Sequence, residues 1–194
     1  MTVGTANTPS LDDRASLKKL LLEKSVRFGE FTLVSGQKSS VYVDSKPTAY
    51  FPQAMPLIGR AVLRVMEGRG WRPDAVGGLT LGADPIAFAV ARESLEKSGS
   101  PILAFVIRKE PKKHGTQKYV EGLDETNGLR AVIIDDVCTT GGSTAQAIRG
   151  AQAAGMHVLG AVCLVDREMG AGEMLGREFG CALESVFRLS DLAG

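Results

Sequence analysis

Cysteine is scarce in this chain: Cys138, Cys163 and Cys181 are the only three, and no two form a CxxC pair. An odd, scattered set argues against a disulfide framework and a structural zinc site, and suits a reducing cytosol. A charge excess is also missing, because 23 Lys and Arg against 22 Asp and Glu leave a formal net charge of +1. No global field therefore draws the chain to nucleic acid or to an anionic membrane, and any cationic function must be local. No apolar run is long enough to span a bilayer, and the opening MTVGTANTPS has neither the basic flank nor the apolar core of a signal peptide. The expectation is a cytoplasmic protein with a disordered tail over residues 1–10 and a single domain over 11–194. GxxxxGK[ST] does not occur, which excludes the P-loop kinases, and LTLGAD at 79–84 is not a GxGxxG dinucleotide fingerprint.

What the chain does contain is an alternation of helical and strand patterns. A capping box at Ser10-Leu-Asp-Asp13 and the spacing of Leu17, Leu20, Leu21 and Val26 predict a helix over 11–26. FTLVSGQKSSVYVD, 31–44, reads as a short antiparallel excursion that could cap a site. A helix opened by Pro52 presents Met55, Ile58, Val62, Val65 and Met66 on one face. Strands follow at 75–80 and 101–107, with a helix at 85–97 between them. RKEPKKHGTQKYVEGLDETN, 108–127, has no helical or alternating period and reads as a long loop, which in a compact domain is usually functional. Further strands are expected at 131–134, 157–165 and 182–189. The pattern predicts an α/β fold on a mostly parallel sheet of four or five strands flanked by helices. Right-handed crossovers then bring 80–84, Arg108, Lys109, 135–144, Asp166 and Arg167 to one sheet edge, where ligands of open α/β sheets bind.

AVIIDDVCTTGGSTAQAI, 131–148, is the centre of that edge. An apolar strand runs into Asp135 and Asp136, a small polar loop follows, and an Ala-rich helix closes the unit. Loop amides and the helix N-terminus favour an anion, and Gly141 and Gly142 let the backbone approach it closely. An acidic pair at a strand end can be no more than solvated surface. With the cradle beside it, the pair can accept hydrogen bonds from two neighbouring sugar hydroxyls while the loop holds a phosphate one sugar-length away. That pattern describes a ribose 5-phosphate site.

IIDDVCTTGGST resembles the 5-phosphoribosyl-1-pyrophosphate (PRPP) motif of the type I phosphoribosyltransferases. FGEFTLVSGQKSSVYVD, GGLTLGADPIA, RKEPKKHG and LVDRE extend the resemblance, over about residues 17–192, to the orotate phosphoribosyltransferases. The resemblance implies the type I fold, with a small hood formed by about 11–50 and a C-terminal segment, and a long mobile catalytic loop. It implies that Asp135 and Asp136 hold the ribose 2- and 3-hydroxyls and that Thr139, Thr140, Gly141, Gly142 and Ser143 surround the 5-phosphate. It gives Arg108, Lys109, Lys112 and His114 the catalytic handling of the PRPP pyrophosphate, and Arg167 with Thr139 the contact to orotate. Magnesium is the implied cofactor, held mainly by PRPP and pyrophosphate rather than by a protein metal site. A homodimer sharing the 108–127 loop is the implied assembly, with neither nucleic acid nor membrane as a partner.

The loop's chemistry suits that role. Pyrophosphate departure leaves electron deficiency at ribose C1 and builds charge on the leaving oxygens, which loop cations and magnesium can screen while a closed lid excludes water. A basic RNA-binding loop is the plainer reading, but only Tyr119 is there to stack on bases. Arg167 could grip a substrate carboxylate, or simply pair with Asp166 or Glu168. Some bacterial family members carry lysine where this chain has Val34 and Gly82, so their substrate contacts do not transfer whole. A phosphoribosyltransferase for another base and a PRPP-sensing regulator that binds RNA or DNA are the competing readings.

Overall fold

The most apolar stretches of the chain become adjacent strands of one sheet. The computed structural model describes residues 11–32, 38–97, 101–110 and 119–193. Strands β3 (Ala75–Leu79), β4 (Leu103–Ile107), β6 (Arg130–Cys138), β7 (His157–Asp166) and β8 (Leu183–Arg188) run parallel, and β5 (Val120–Glu121) is antiparallel at one edge, in the order β5-β4-β3-β6-β7-β8. Among the described residues the sheet thus has six strands rather than four or five. The added strand lies in the stretch expected to be all loop. Two residues, Val120 and Glu121 against Ile107 and Val106, are too few to leave a periodic signal in sequence.

Alternation within β6 assigns each face. Val132 and Ile134 join the cluster that includes Ile58 and Val62 of α3 (Met55–Gly68) and Ile86 and Val90 of α4 (Asp84–Lys97). Ala131 and Ile133 instead meet Ala147, Ile148 and Ala151 of α5 (Gly142–Ala153) and Leu175 of α6 (Ala171–Phe179). Both faces of the central strands are covered, so they read as unbroken apolar runs. Helix α3 opens at Met55 with Pro56 in its first turn, not at Pro52.

The N-terminal part packs beside this sheet. Helix α1 (Leu11–Lys24) ends two residues earlier than its periodicity suggests, because Val26 opens β1 (Val26–Thr32) and pairs with Val43 of β2 (Lys38–Val43). Ser10 of the expected capping box and residues 33–37, including all but Lys38 of the Ser-Gly-Gln-Lys turn, lie outside the described residues. After β2 comes the short α2 (Lys46–Ala49), and the described chain closes with α7 (Leu189–Leu192). Arg14 of α1 joins the two ends: its guanidinium donates to the Val186 carbonyl and to Asp191 and lies 4.6 Å from the centre of the Phe187 ring.

Candidate active site

Strand β6 carries both acids, and unlike the sequence expectation it continues past them to Cys138. Asp135 is buried, and both of its oxygens are engaged: Thr144 Oγ donates to Oδ2 at 2.6 Å and the Asp136 amide to Oδ1 at 3.0 Å. Burial pushes its carboxyl up to about 6, opposed by the Thr144 hydrogen bond. Thr144 Oγ also lies 3.3 Å from Cys138 Sγ, so hydroxyl, thiol and carboxylate form one buried chain. Asp136 is half-buried, and its Oδ2 accepts from Ser45 Oγ at 2.5 Å. Its other oxygen rests over the turn that follows β3. A Cβ added to Gly82 would stand 2.5 Å from Asp136 Oδ1, so the carboxylate occupies the space that a side chain at 82 would need.

The loop after β6 is shorter than expected, because α5 already begins at Gly142. Gly141 is the N-cap residue with φ 86°, a left-handed conformation that glycine tolerates best, and a Cβ there would lie 2.6 Å from Met174 Cε. Gly142 and Ser143 therefore lie in the first helical turn, whose N–H groups have no intrahelical partner. Thr140, Gly142 and Ser143 are exposed and Thr139 is half-buried, so the expected phosphate cradle is open to solvent beside the two acids. The preceding turn is held by Asp84, which accepts from Thr80 Oγ and the Leu81 amide at 3.0 Å each. Leu81 has φ 75° without being glycine, and its carbonyl accepts from the Tyr50 hydroxyl at 3.1 Å. Strain of this kind collects at functional edges.

Arg167 lies just past the end of β7. It is buried, and its Nη2 donates to Ser39 Oγ at 3.2 Å and to the Val41 carbonyl at 3.3 Å. Its acidic neighbours are occupied elsewhere, Glu168 with Ser190 and Asp166 with the Glu168 amide. Among the described residues Arg167 Nε has no hydrogen-bond partner. A buried guanidinium with an unused donor is a group that an anionic or carbonyl partner would satisfy.

The matches to known proteins agree with this arrangement. Residues 52–182 match the phosphoribosyl transferase domain model. An orotate phosphoribosyltransferase of Aquifex aeolicus is 42% identical over 183 residues, covering 93% of this chain and 97% of its own. One from Corynebacterium glutamicum is 40% identical over 188 residues, covering 97% and 98%. The chain belongs to the orotate phosphoribosyltransferase family. A crystal structure of the Mycobacterium tuberculosis orotate phosphoribosyltransferase in complex with PRPP superposes with a TM-score of 0.77 at 37% identity, covering 94% of this chain and 99% of that one.

Within this orotate phosphoribosyltransferase fold, the structure gathers Asp135, Asp136, Thr139, Thr140, Gly141, Gly142, Ser143 and Arg167 at the C-terminal ends of β6 and β7. Arg108 and Lys109 follow β4 on the same edge and are exposed. Arg108 is turned to Glu121 at 3.5 Å, and the Lys109 carbonyl accepts from Gln146 of α5. Lys112 and His114 lie outside the described residues, as does Val34. Sequence reasoning did not single out Ser39, Ser45 or Thr144 individually. Thr144 was within reach, as the last residue of the cradle, whereas Ser39 and Ser45 are 128 and 91 residues from their partners and carry no local signal.

Proposed function

We propose that this chain transfers the 5-phosphoribosyl group of PRPP to a ring nitrogen of orotate, giving orotidine 5'-monophosphate and pyrophosphate, a step of pyrimidine synthesis. The observation that carries this reading is the buried Arg167, unneutralised by Asp166 or Glu168, on the same edge as the acids and the open helix N-terminus. The two ends of that edge suit the two substrates. Amides of the 139–143 segment and the α5 dipole favour the 5-phosphate. Asp135 and Asp136 accept the ribose hydroxyls, and Arg167 donates to the oxygen-rich face of orotate.

Orotate attacks C1 as pyrophosphate leaves, and the protein's part is positioning and charge screening. Arg108, Lys109, Lys112 and His114 supply positive charge at the leaving end, the last two from a loop that closes over PRPP and keeps water from C1. Magnesium fits this donor set as a companion of the substrate. Asp135 and Asp136 act through the ribose hydroxyls, so the ion would be held mainly by oxygens of PRPP and pyrophosphate. When bound with the diphosphate, the ion neutralises charge on the leaving group. The reading includes a cytoplasmic homodimer in which the 108–127 loop of one protomer closes the site of the other. No helix among the described residues is long and apolar enough to cross a membrane.

Purified protein given magnesium, PRPP and orotate should consume the orotate absorbance and release pyrophosphate. Turnover of uracil or a purine with no turnover of orotate would sink the assignment.

A further inference from the structure

The junction between β2 and α2 holds a hydroxyl with no local task. Ser45 is the N-cap residue of α2, a position where serine usually accepts a hydrogen bond from an amide of the first turn. Here no side-chain cap bond forms, and the Ser45 carbonyl alone takes the Thr48 and Ala49 amides. The side chain is fully buried and reaches across the fold to Asp136 Oδ2 at 2.5 Å, a short, charge-assisted bond. Gly82 lies against the same carboxylate, nearest Oδ1, with no side chain to displace it. Asp136 is thereby held by a donor on Oδ2, while Oδ1, beside the bare Gly82 backbone, keeps its capacity to accept from a ligand. The same β2 region grips the other half of the site, because Ser39 and the Val41 carbonyl hold Arg167.

We infer that Ser45 is a positioning residue for PRPP: its hydroxyl fixes the Asp136 carboxylate so that Oδ1 faces the ribose. It also fastens the ribose-binding acid to the element that orients Arg167. The inference rests on the ribose-binding role of the Asp135 and Asp136 pair. A carboxylate freed from Ser45 can turn away from Gly82 and must be reordered each time PRPP binds, so the loss falls on PRPP rather than on orotate.

Steady-state kinetics of the unaltered protein, Ser45→Ala and Ser45→Cys, varying PRPP and orotate separately at saturating magnesium, tests this. Cysteine keeps the volume and supplies only a weak donor, so it also carries the test if the alanine variant does not fold. Loss of one hydrogen bond to a charged group predicts a rise of roughly 10-fold in the PRPP KM for both variants. The orotate KM should stay within about twofold, since Ser39 and Val41 are unchanged. An unchanged PRPP KM in both variants overturns the inference. So does an equal rise in both KM values, which marks general loosening, and so does a cysteine variant that behaves as the unaltered protein, which marks packing alone. If the unaltered protein turns over neither PRPP nor orotate, the functional reading itself fails and the inference goes with it.

Discussion

Two aspartates on neighbouring strands have opposite surroundings at opposite ends of the sheet. Asp74 directly precedes β3, where Ala75 pairs with Ala131, so it stands beside Arg130 at the start of β6. Arg130 grips it through Nε at 3.0 Å and Nη2 at 2.7 Å, while the Arg130 amide adds a third bond at 2.9 Å. These bonds hold the Asp74 carboxyl down at about 2. Asp135, at the other end of β6, has only a hydroxyl and an amide, and burial drives it up to about 6. No cation pairs with it among the described residues. One end of the sheet satisfies its acid and closes; the other leaves an acid costly to ionise until something binds. Destabilised charge of that kind is expected where a ligand completes the site.

The comparison breaks most visibly if the acids are interchangeable in activity. Asp136→Asn should lower kcat/KM for PRPP by roughly 10- to 100-fold, the cost of weakening hydrogen bonds to a charged acceptor. Asp74→Asn should leave it unchanged within about twofold, and initial rates over a range of PRPP concentrations would separate the two.

Stability should move the other way. In the folded protein Asp135 keeps its proton up to about pH 6, above the ordinary value of 3.8, so the native state binds more protons than the unfolded chain across that window. Stability contributed by this residue therefore falls as pH rises through the window, and above it the buried charge is a constant cost. Asp135→Asn should raise the melting temperature at pH 7.5 by roughly 2–6 °C. Thr144 can turn its hydroxyl to accept from the new amide. The gain should shrink as pH falls below about 6. Thermal melts from pH 4.5 to 8 check this, and a gain independent of pH would mean that burial does not raise the Asp135 carboxyl.

The smallest effect belongs to the closed end. Asp74 is depressed, so its contribution is present above about pH 4 and is lost as pH falls towards about 2. Arg130 and Asp74 side chains remain 49% and 36% exposed, so solvent screens the pair despite its geometry. Arg130→Ala should lower the denaturant midpoint only slightly at neutral pH, and less at high salt, with activity retained.

Much of the architecture was legible because apolar strands and amphipathic helices announce themselves by period. The five parallel strands and the helix after the acidic pair all came from local pattern. β5 escaped because two residues cannot display a period, and α1 ran too long on paper because Val26 fits a helix face as well as it fits a strand. For the site, Asp135, Asp136 and the glycines were legible because a strand, a turn and a helix N-terminus follow one another in sequence. Whether Arg167 paired with its neighbours was not, since Asp166 and Glu168 were equally near along the chain.

The chain's sequence alone determined the α/β alternation, the ribose-phosphate motif and the family resemblance, because each rests on residues within a few turns or one loop of each other. Only the tertiary structure decided how those pieces are held. Ser45 meets Asp136, Ser39 meets Arg167, and Gly82 makes room for a carboxylate from another strand. Contacts between residues far apart in sequence depend on how strands and helices pack, and no local period or spacing encodes them.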